Sequence, residues 1–148
     1  MKKMMLVGAI DSGKTTLIMA LNGQTGVPSK TQTLKYSSFM IDTPGEYMEN
    51  PRMYTAIMST AQEAKLILFT QDASSEKSIF PPGFARSFSG TTIGIVTKID
   101  FPNSNIENSV KILNKLGLKG PVFEVSSITG EGIESLKSYI NSALNKSL

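Results

Sequence analysis

The 148 residues include 40% hydrophobic and 18% charged side chains, which suits a single globular domain over 1–148 with a full core, not a disordered chain. A net charge of +3, with thirteen lysines and two arginines scattered along the chain, argues against a nucleic-acid binder, and no apolar run approaches the ~20 residues of a membrane span. The lack of cysteine fits a reducing cytoplasm, and the lack of histidine removes the commonest general base and metal ligand, so any chemistry falls to other groups.

The chain opens on "MKKMMLVGAI". Its apolar run is too short for a signal peptide and no cleavage site follows, so Met4–Val7 reads as a buried first strand. Directly behind it, Gly8-x-x-x-x-Gly13-Lys14-Thr15 matches the phosphate-binding loop, with a helix expected over Lys14–Leu21. Gly8 and Gly13 allow dihedrals and close approach that a Cβ would block. The amides of Ser12, Gly13, Lys14, Thr15 and Thr16 then face phosphates from a helix N-terminus. Lys14 supplies charge between the β and γ phosphates, and Thr15 offers its hydroxyl to Mg²⁺. Asp11 is the anomaly, an acid inside a loop built for anions.

Residues 22–41 are polar and turn-rich, ending in two short strand-like pieces around Ser37-Ser38. Thr31 and Thr33 are both candidates for a second hydroxyl on Mg²⁺, and spacing does not separate them from each other or from plain loop threonines. Asp42 ends a strand in "MIDTPGEY", where an acid holds Mg²⁺ through water. The Thr43-Pro44-Gly45 turn brings the Gly45 N–H to the γ phosphate. A helix is expected over Pro51–Ala64, with Asn50 as N-cap and Pro51 in its first turn.

Leu66–Phe69 reads as the next strand and residues 72–90 as loop. Strand Thr92–Val96 leads into Thr97-Lys98-Ile99-Asp100. Ser104 and Glu107 form a capping box for a helix that stops at a left-handed Gly117. Strand Val122–Val125 leads into Ser126-Ser127-Ile128. A last helix, about Ile133 to Leu144, carries Ile133, Leu136, Ile140 and Leu144 along one stripe and should lie on the sheet surface. This rhythm implies an α/β fold, a mostly parallel central sheet with helices on both faces, and ligands beyond the carboxyl ends of its strands.

The two loops after the later strands fit guanine. A carboxylate at Asp100 accepts from both N1–H and the 2-amino group, which adenine cannot offer. The Lys98 stem can lie over the purine face, and the Ser127 N–H can donate to O6. Hydrogen bonds to charged groups are worth about 1.5–3 kcal/mol each, so discrimination should be large.

These motifs resemble those of the small Ras-like, Era-related GTPases, a three-layer P-loop NTPase fold; Lys30-Thr31-Gln32 and Thr97 in place of the usual Asn suit that group. The longer run Ile41-Asp42-Thr43-Pro44-Gly45-Glu46-Tyr47, with Pro51-Arg52, Tyr54 and Pro81-Pro82-Gly83, is similar to the EutP/PduV family of ethanolamine and propanediol utilisation. The resemblance covers essentially the whole chain. It implies GTP and GDP as ligands, Mg²⁺, slow GTP hydrolysis, and a role in assembly or positioning of a bacterial microcompartment, with shell or pathway proteins as partners.

Members of the ethanolamine branch have been described as acetate kinases, which implies phosphoryl transfer between a nucleotide and acetate. An acetate pocket would want an arginine or amide clamp, and only Arg52 stands near in sequence. Two departures matter. Glu46 follows Gly45 where many GTPases carry a water-orienting Gln, so it either accepts from the attacking water or faces solvent. Neither Arg52 nor Arg86 falls in the first switch loop, so no built-in arginine finger assists and hydrolysis should be slow. Asp11 stands where potassium-activated relatives carry an Asn ligand. It either caps its own loop or ligates K⁺.

Overall fold

The computed structural model describes residues 3–9, 12–22, 40–42 and 50–145. Among them, five parallel strands form one sheet in the order β2-β1-β3-β4-β5. The strands are β1 (Lys3–Val7), β2 (Met40–Asp42), β3 (Ala64–Asp72), β4 (Thr91–Thr97) and β5 (Val122–Glu124). Among the described residues four α-helices accompany them: α1 (Lys14–Leu21), α2 (Tyr54–Ala61), α3 (Ile106–Asn114) and α4 (Ile133–Asn145).

Alternation along the strands sorts the core into two faces, as the period of two requires. Met4 and Leu6, Leu66 and Leu68, and Ile93 and Ile95 pack with α1 and with Ile133, Leu136, Ile140 and Leu144 of α4. The expected stripe of the last helix therefore does lie on the sheet. Met5 and Val7, Ile67 and Phe69, and Val96 face the other way, against Ile57 and Ala61 of α2 and Leu113 of α3. The three-layer α/β expectation holds.

Several boundaries differ from the sequence reading, each for a local reason. The helix expected over Pro51–Ala64 begins as a 3-10 turn, Pro51–Met53, with the Asn50 side chain accepting from Arg52 N at 3.1 Å. It ends at Ala61, and Ala64 instead pairs with Lys3 at the start of a strand much longer than Leu66–Phe69. The Ser104–Glu107 capping box does not form. Asn105 is the N-cap, accepting from Asn108 N at 3.0 Å, while Ser104 Oγ donates to Ile99 O at 3.3 Å. Asn105 N–H is held by Ala73 O at 2.7 Å, which starts the helix one residue late and leaves Glu107 at its second position, too early for a box. Gly117 is left-handed as expected (φ 80°) but stands two residues past the cap at Lys115.

The segment over 72–90 is irregular yet not a mere surface loop. Phe80, Phe84 and Phe88 are buried and set edge-on around Phe69, with ring centroids 5.5, 6.1 and 5.3 Å away. Gly83 N donates to Lys115 O and Ala85 N to Leu116 O, at 2.9 and 3.0 Å, so the segment is laced to the end of α3.

Candidate nucleotide site

In the order β2-β1-β3 the chain leaves β1 in one direction for β2 and then crosses to β3 on the other side. The carboxyl end of β1 is therefore the switch point, where a crevice opens in sheets of this kind. Gly8 and Ala9 follow β1 at that point, and α1 begins at Lys14. Gly13 heads the helix at φ 94°, a left-handed conformation that side-chain-bearing residues adopt with strain. Gly8 is needed for a different reason: a Cβ there would collide with Thr70 Oγ1 and come within 2.7 Å of Ser12 Oγ.

Those hydroxyls form the floor of the loop. Ser12 and Thr70 share a hydrogen bond of 2.9 Å between their buried hydroxyls. Thr97 Oγ1 donates to Ser12 O at 2.6 Å, tying the loop after β1 to the last residue of β4. Thr97 thus works from beneath: it is 2% exposed, and its hydroxyl is spent on backbone.

Five successive amides, from Ser12 to Thr16, were expected to face phosphate. Ser12 N–H instead donates to Ala9 O at 3.2 Å, closing the loop on itself. The helical ladder opens with Leu17 N on Gly13 O, so the first turn of α1, the positive end of its dipole, stands directly behind the loop. Lys14 is half-buried and its Nζ donates to Gly8 O and Ala9 O at 2.8 and 3.0 Å, holding its charge at the loop; Thr15 and Thr16 are exposed.

The base-side elements also converge. Asp100 is exposed, and Ser126 Oγ donates to its Oδ1 at 2.8 Å while accepting from Thr129 N at 3.0 Å. Ser126 itself is fully buried, so it aims the carboxylate from behind. Lys98 has the positive φ of 61°, and its Nζ lies 2.9 Å from Asp72 Oδ2 and 5.5 Å from the Phe101 ring. Between these groups is a pocket of about 100 Å³ lined by Gly13, Thr16, Lys98, Asp100, Phe101 and Ile128 among others, with Thr97 and Ser127 in its wall. Its lining joins the first turn of α1 to the base-side loops, and its polar rim carries one carboxylate over an apolar surface.

Register places Asp42 opposite Leu6, at the carboxyl end of β2 and one residue short of the end of β1. Asp42 thus ends its strand at the same edge of the sheet from which the chain passes to α1 and Thr15. Asp11, Thr31, Thr33, Gly45 and Glu46 lie outside the described residues.

Sequence reasoning missed Thr70, Asp72, Ser74 and Phe101, and it placed Ile128 in the run after the last strand without giving it a role. Asp72 Oδ1 accepts from Ser74 N and Ser74 Oγ at 2.8 and 2.6 Å. Burial pushes its carboxyl up, but the Ser74 hydroxyl, the Lys98 ammonium and the Ser74 amide outweigh that and hold it below its ordinary 3.8. A signal was available. Thr70 and Asp72 are polar residues ending an apolar strand, and in a parallel sheet every strand's carboxyl end points at the ligand crevice.

Among the described residues no helix is long and apolar enough to cross a membrane. The chain is similar in fold to the translation elongation factor SelB of Methanococcus maripaludis in its apo form (TM-score 0.62, 23% identity, covering 97% of this chain and 33% of that one). It is 29% identical to the tRNA modification GTPase MnmE of Thermus thermophilus, over 96% of this chain and 33% of that protein. It is 33% identical to a protein of Escherichia coli K12 named "Probable acetate kinase EutP", over 96% of this chain and 91% of that one. The model of the family described as ethanolamine utilisation–propanediol utilisation matches residues 1–142. With that match, and with a P-loop NTPase fold that carries the motifs expected of it, the chain belongs to the PduV-EutP family.

Proposed function

We propose that the chain is a guanine-nucleotide-binding protein of the bacterial cytoplasm that hydrolyses GTP slowly with Mg²⁺. Its setting is ethanolamine or propanediol utilisation, where it serves the assembly or positioning of a microcompartment through shell or pathway proteins. The observation that carries the base assignment is the Asp100 carboxylate, fixed by Ser126 Oγ at 2.8 Å on the rim of a pocket that runs to the first turn of α1. A carboxylate so held accepts from the two adjacent donors of guanine and is repelled by the N1 lone pair of adenine.

On this reading the α1 amides and Lys14 neutralise the β and γ phosphates, Lys98 and Phe101 border the base, and Ser127 N–H donates to its O6. Thr15 and Asp42, with Thr31 or Thr33, would hold Mg²⁺, which supplies charge neutralisation at the β and γ oxygens. Gly45 N–H would meet the γ phosphate, with Glu46 beside the attacking water. An arginine finger is worth ~10³–10⁵ in rate, so a chain without one turns over slowly. A K⁺ ligated by Asp11 would supply part of that charge, and equal hydrolysis rates in K⁺ and Na⁺ would exclude it.

A second reading, phosphoryl transfer between acetate and a nucleotide, rests on the name given to the E. coli relative. Both are tested together by incubating the protein with Mg²⁺ and GTP or ATP, with and without acetate, and following phosphate and acetyl phosphate. Slow phosphate release from GTP alone supports the first reading; acetyl phosphate formed faster than phosphate supports the second. GDP should bind about 100-fold or more tighter than ADP, and Asp100→Asn should remove most of that preference. Equal affinities in the unaltered protein would sink the guanine assignment.

A further inference from the structure

We propose that Asp72 is a positioning residue for the base: its carboxylate holds the Lys98 ammonium so that the lysine stem stands as one wall of the nucleotide pocket. The inference rests on the guanine-nucleotide reading above and extends it to a residue outside every motif read from the sequence.

A lysine stem has several rotatable bonds, and an unanchored one is a poor wall. Lys98 also lies in a backbone conformation (φ 61°) that L residues rarely adopt and that the surroundings must impose. Asp72 supplies the anchor at 2.9 Å, with the two side chains 25% and 17% exposed. It is itself immobilised, because Oδ1 accepts from both the amide and the hydroxyl of Ser74, leaving Oδ2 to Lys98.

The turn that carries Asp72 is fastened to the base-side loop at two further points. Ala73 N donates to Thr97 O at 2.9 Å, and Asn105 N to Ala73 O at 2.7 Å. The same ammonium stands over the Phe101 ring, 5.5 Å from its centroid. An ordinary surface ion pair joins two swinging side chains and contributes little. This one joins a carboxylate fixed by two other bonds to a side chain that lines the pocket, so its effect falls on the ligand. Ordering Lys98 before the base arrives removes that ordering cost from binding.

Asp72→Asn keeps the shape and the Ser74 amide bond while removing the charge. GDP affinity should fall about tenfold, chiefly through faster release, while the hydrolysis rate at saturating GTP stays within about twofold. In a Lys98→Met background, which retains a stem without the ammonium, Asp72→Asn should have no further effect on affinity. Without nucleotide, acylation of Lys98 followed by mass spectrometry should be faster in Asp72→Asn than in the unaltered protein.

An unchanged GDP affinity in a variant with normal melting temperature overturns the proposal, as does an equal loss in the Lys98→Met background. Faster acylation of Lys98 with no GDP binding by the unaltered protein would leave the anchor in place and strike the guanine reading, and with it the role assigned to Asp72.

Discussion

The floor of the site and its rim are fastened by different chemistry. Beneath the phosphate loop the ties are neutral: Ser12 to Thr70 and Thr97 to the Ser12 carbonyl, all three side chains at most 3% exposed. Around the pocket lined by Lys98 and Asp100 they are charged and partly wet: Asp72 to Lys98, and Ser126 to the exposed Asp100. Desolvating an ion is costly, whereas a buried hydroxyl with a partner is tolerated, so depth decides which kind of tie a position can use. The floor is then rigid and insensitive to solvent, while the rim keeps charge available for a ligand.

The strongest way to break that contrast is to open the floor. Gly8→Ala drives a methyl into the Ser12–Thr70 pair, and overpacking of this kind costs about 1–3 kcal/mol, with the upper end expected because Thr70 O also lies 3.1 Å away. At about 2–4 °C per kcal/mol for a chain of this size, the melting temperature should drop by about 6–12 °C. A melting temperature within a degree of the unaltered protein would show that the hydroxyl floor is soft.

Thr97→Val comes next. It preserves shape but strands the buried Ser12 carbonyl, at a cost of about 1–3 kcal/mol, and Thr97→Ser should recover most of it. Urea unfolding of the two variants without nucleotide reads the difference. Equal losses would mean that the methyl, not the donor, is what the site uses.

How legible the site was follows the same division. Gly8, Gly13, Lys14 and Asp100 were readable because each answers to spacing after an apolar strand, and the fold that brings them together follows from alternating strands and helices. Thr97 was readable as a position but not as a role, since only the structure shows its hydroxyl turned down onto Ser12 O. Thr70 and Asp72 were missed because their partners lie 58 and 26 residues away, and such pairings belong to sheet order, not to local pattern. The Asn105 cap was missed for a related reason: Ser104 fits the local rule, but a tertiary bond to Ala73 O shifts the helix start. Phe80, Phe84 and Phe88 sit in a stretch rich in turn residues, and their spacing of four is no guide when the backbone between them is irregular as far as Gly83 and then a short 3-10 turn, Phe84–Ser87, not an α-helix.

On the rim, Ser126→Ala tests whether aiming a carboxylate matters as much as possessing one. Asp100 remains, exposed, with its orienting hydroxyl gone. A lost hydrogen bond to a charged group is worth about 1.5–3 kcal/mol at most, and solvent screening at an exposed acid reduces that, so GDP affinity should fall about three- to tenfold. Stability should change less than in Thr97→Val. Isothermal titration and thermal melts of the same samples compare the two, and a larger loss of stability than of affinity would make Ser126 part of the floor instead.

The smallest effect is the most discriminating. The Asp72 carboxyl is held below its ordinary 3.8, so in the folded chain it binds its proton less readily than in the unfolded one. Its contribution to stability is therefore complete above about pH 3.8 and is lost as pH falls through the lower folded-state value. The unaltered protein should lose stability relative to Asp72→Asn as pH falls below about 3.8, read as converging urea midpoints. Raising salt to about 0.5 M at neutral pH should narrow the same gap by screening the Lys98 pair. The Thr97→Val penalty involves no charge and should hold across both changes. If the Asp72→Asn and Thr97→Val gaps respond alike to acid and to salt, the division between a neutral floor and a charged rim does not exist in solution.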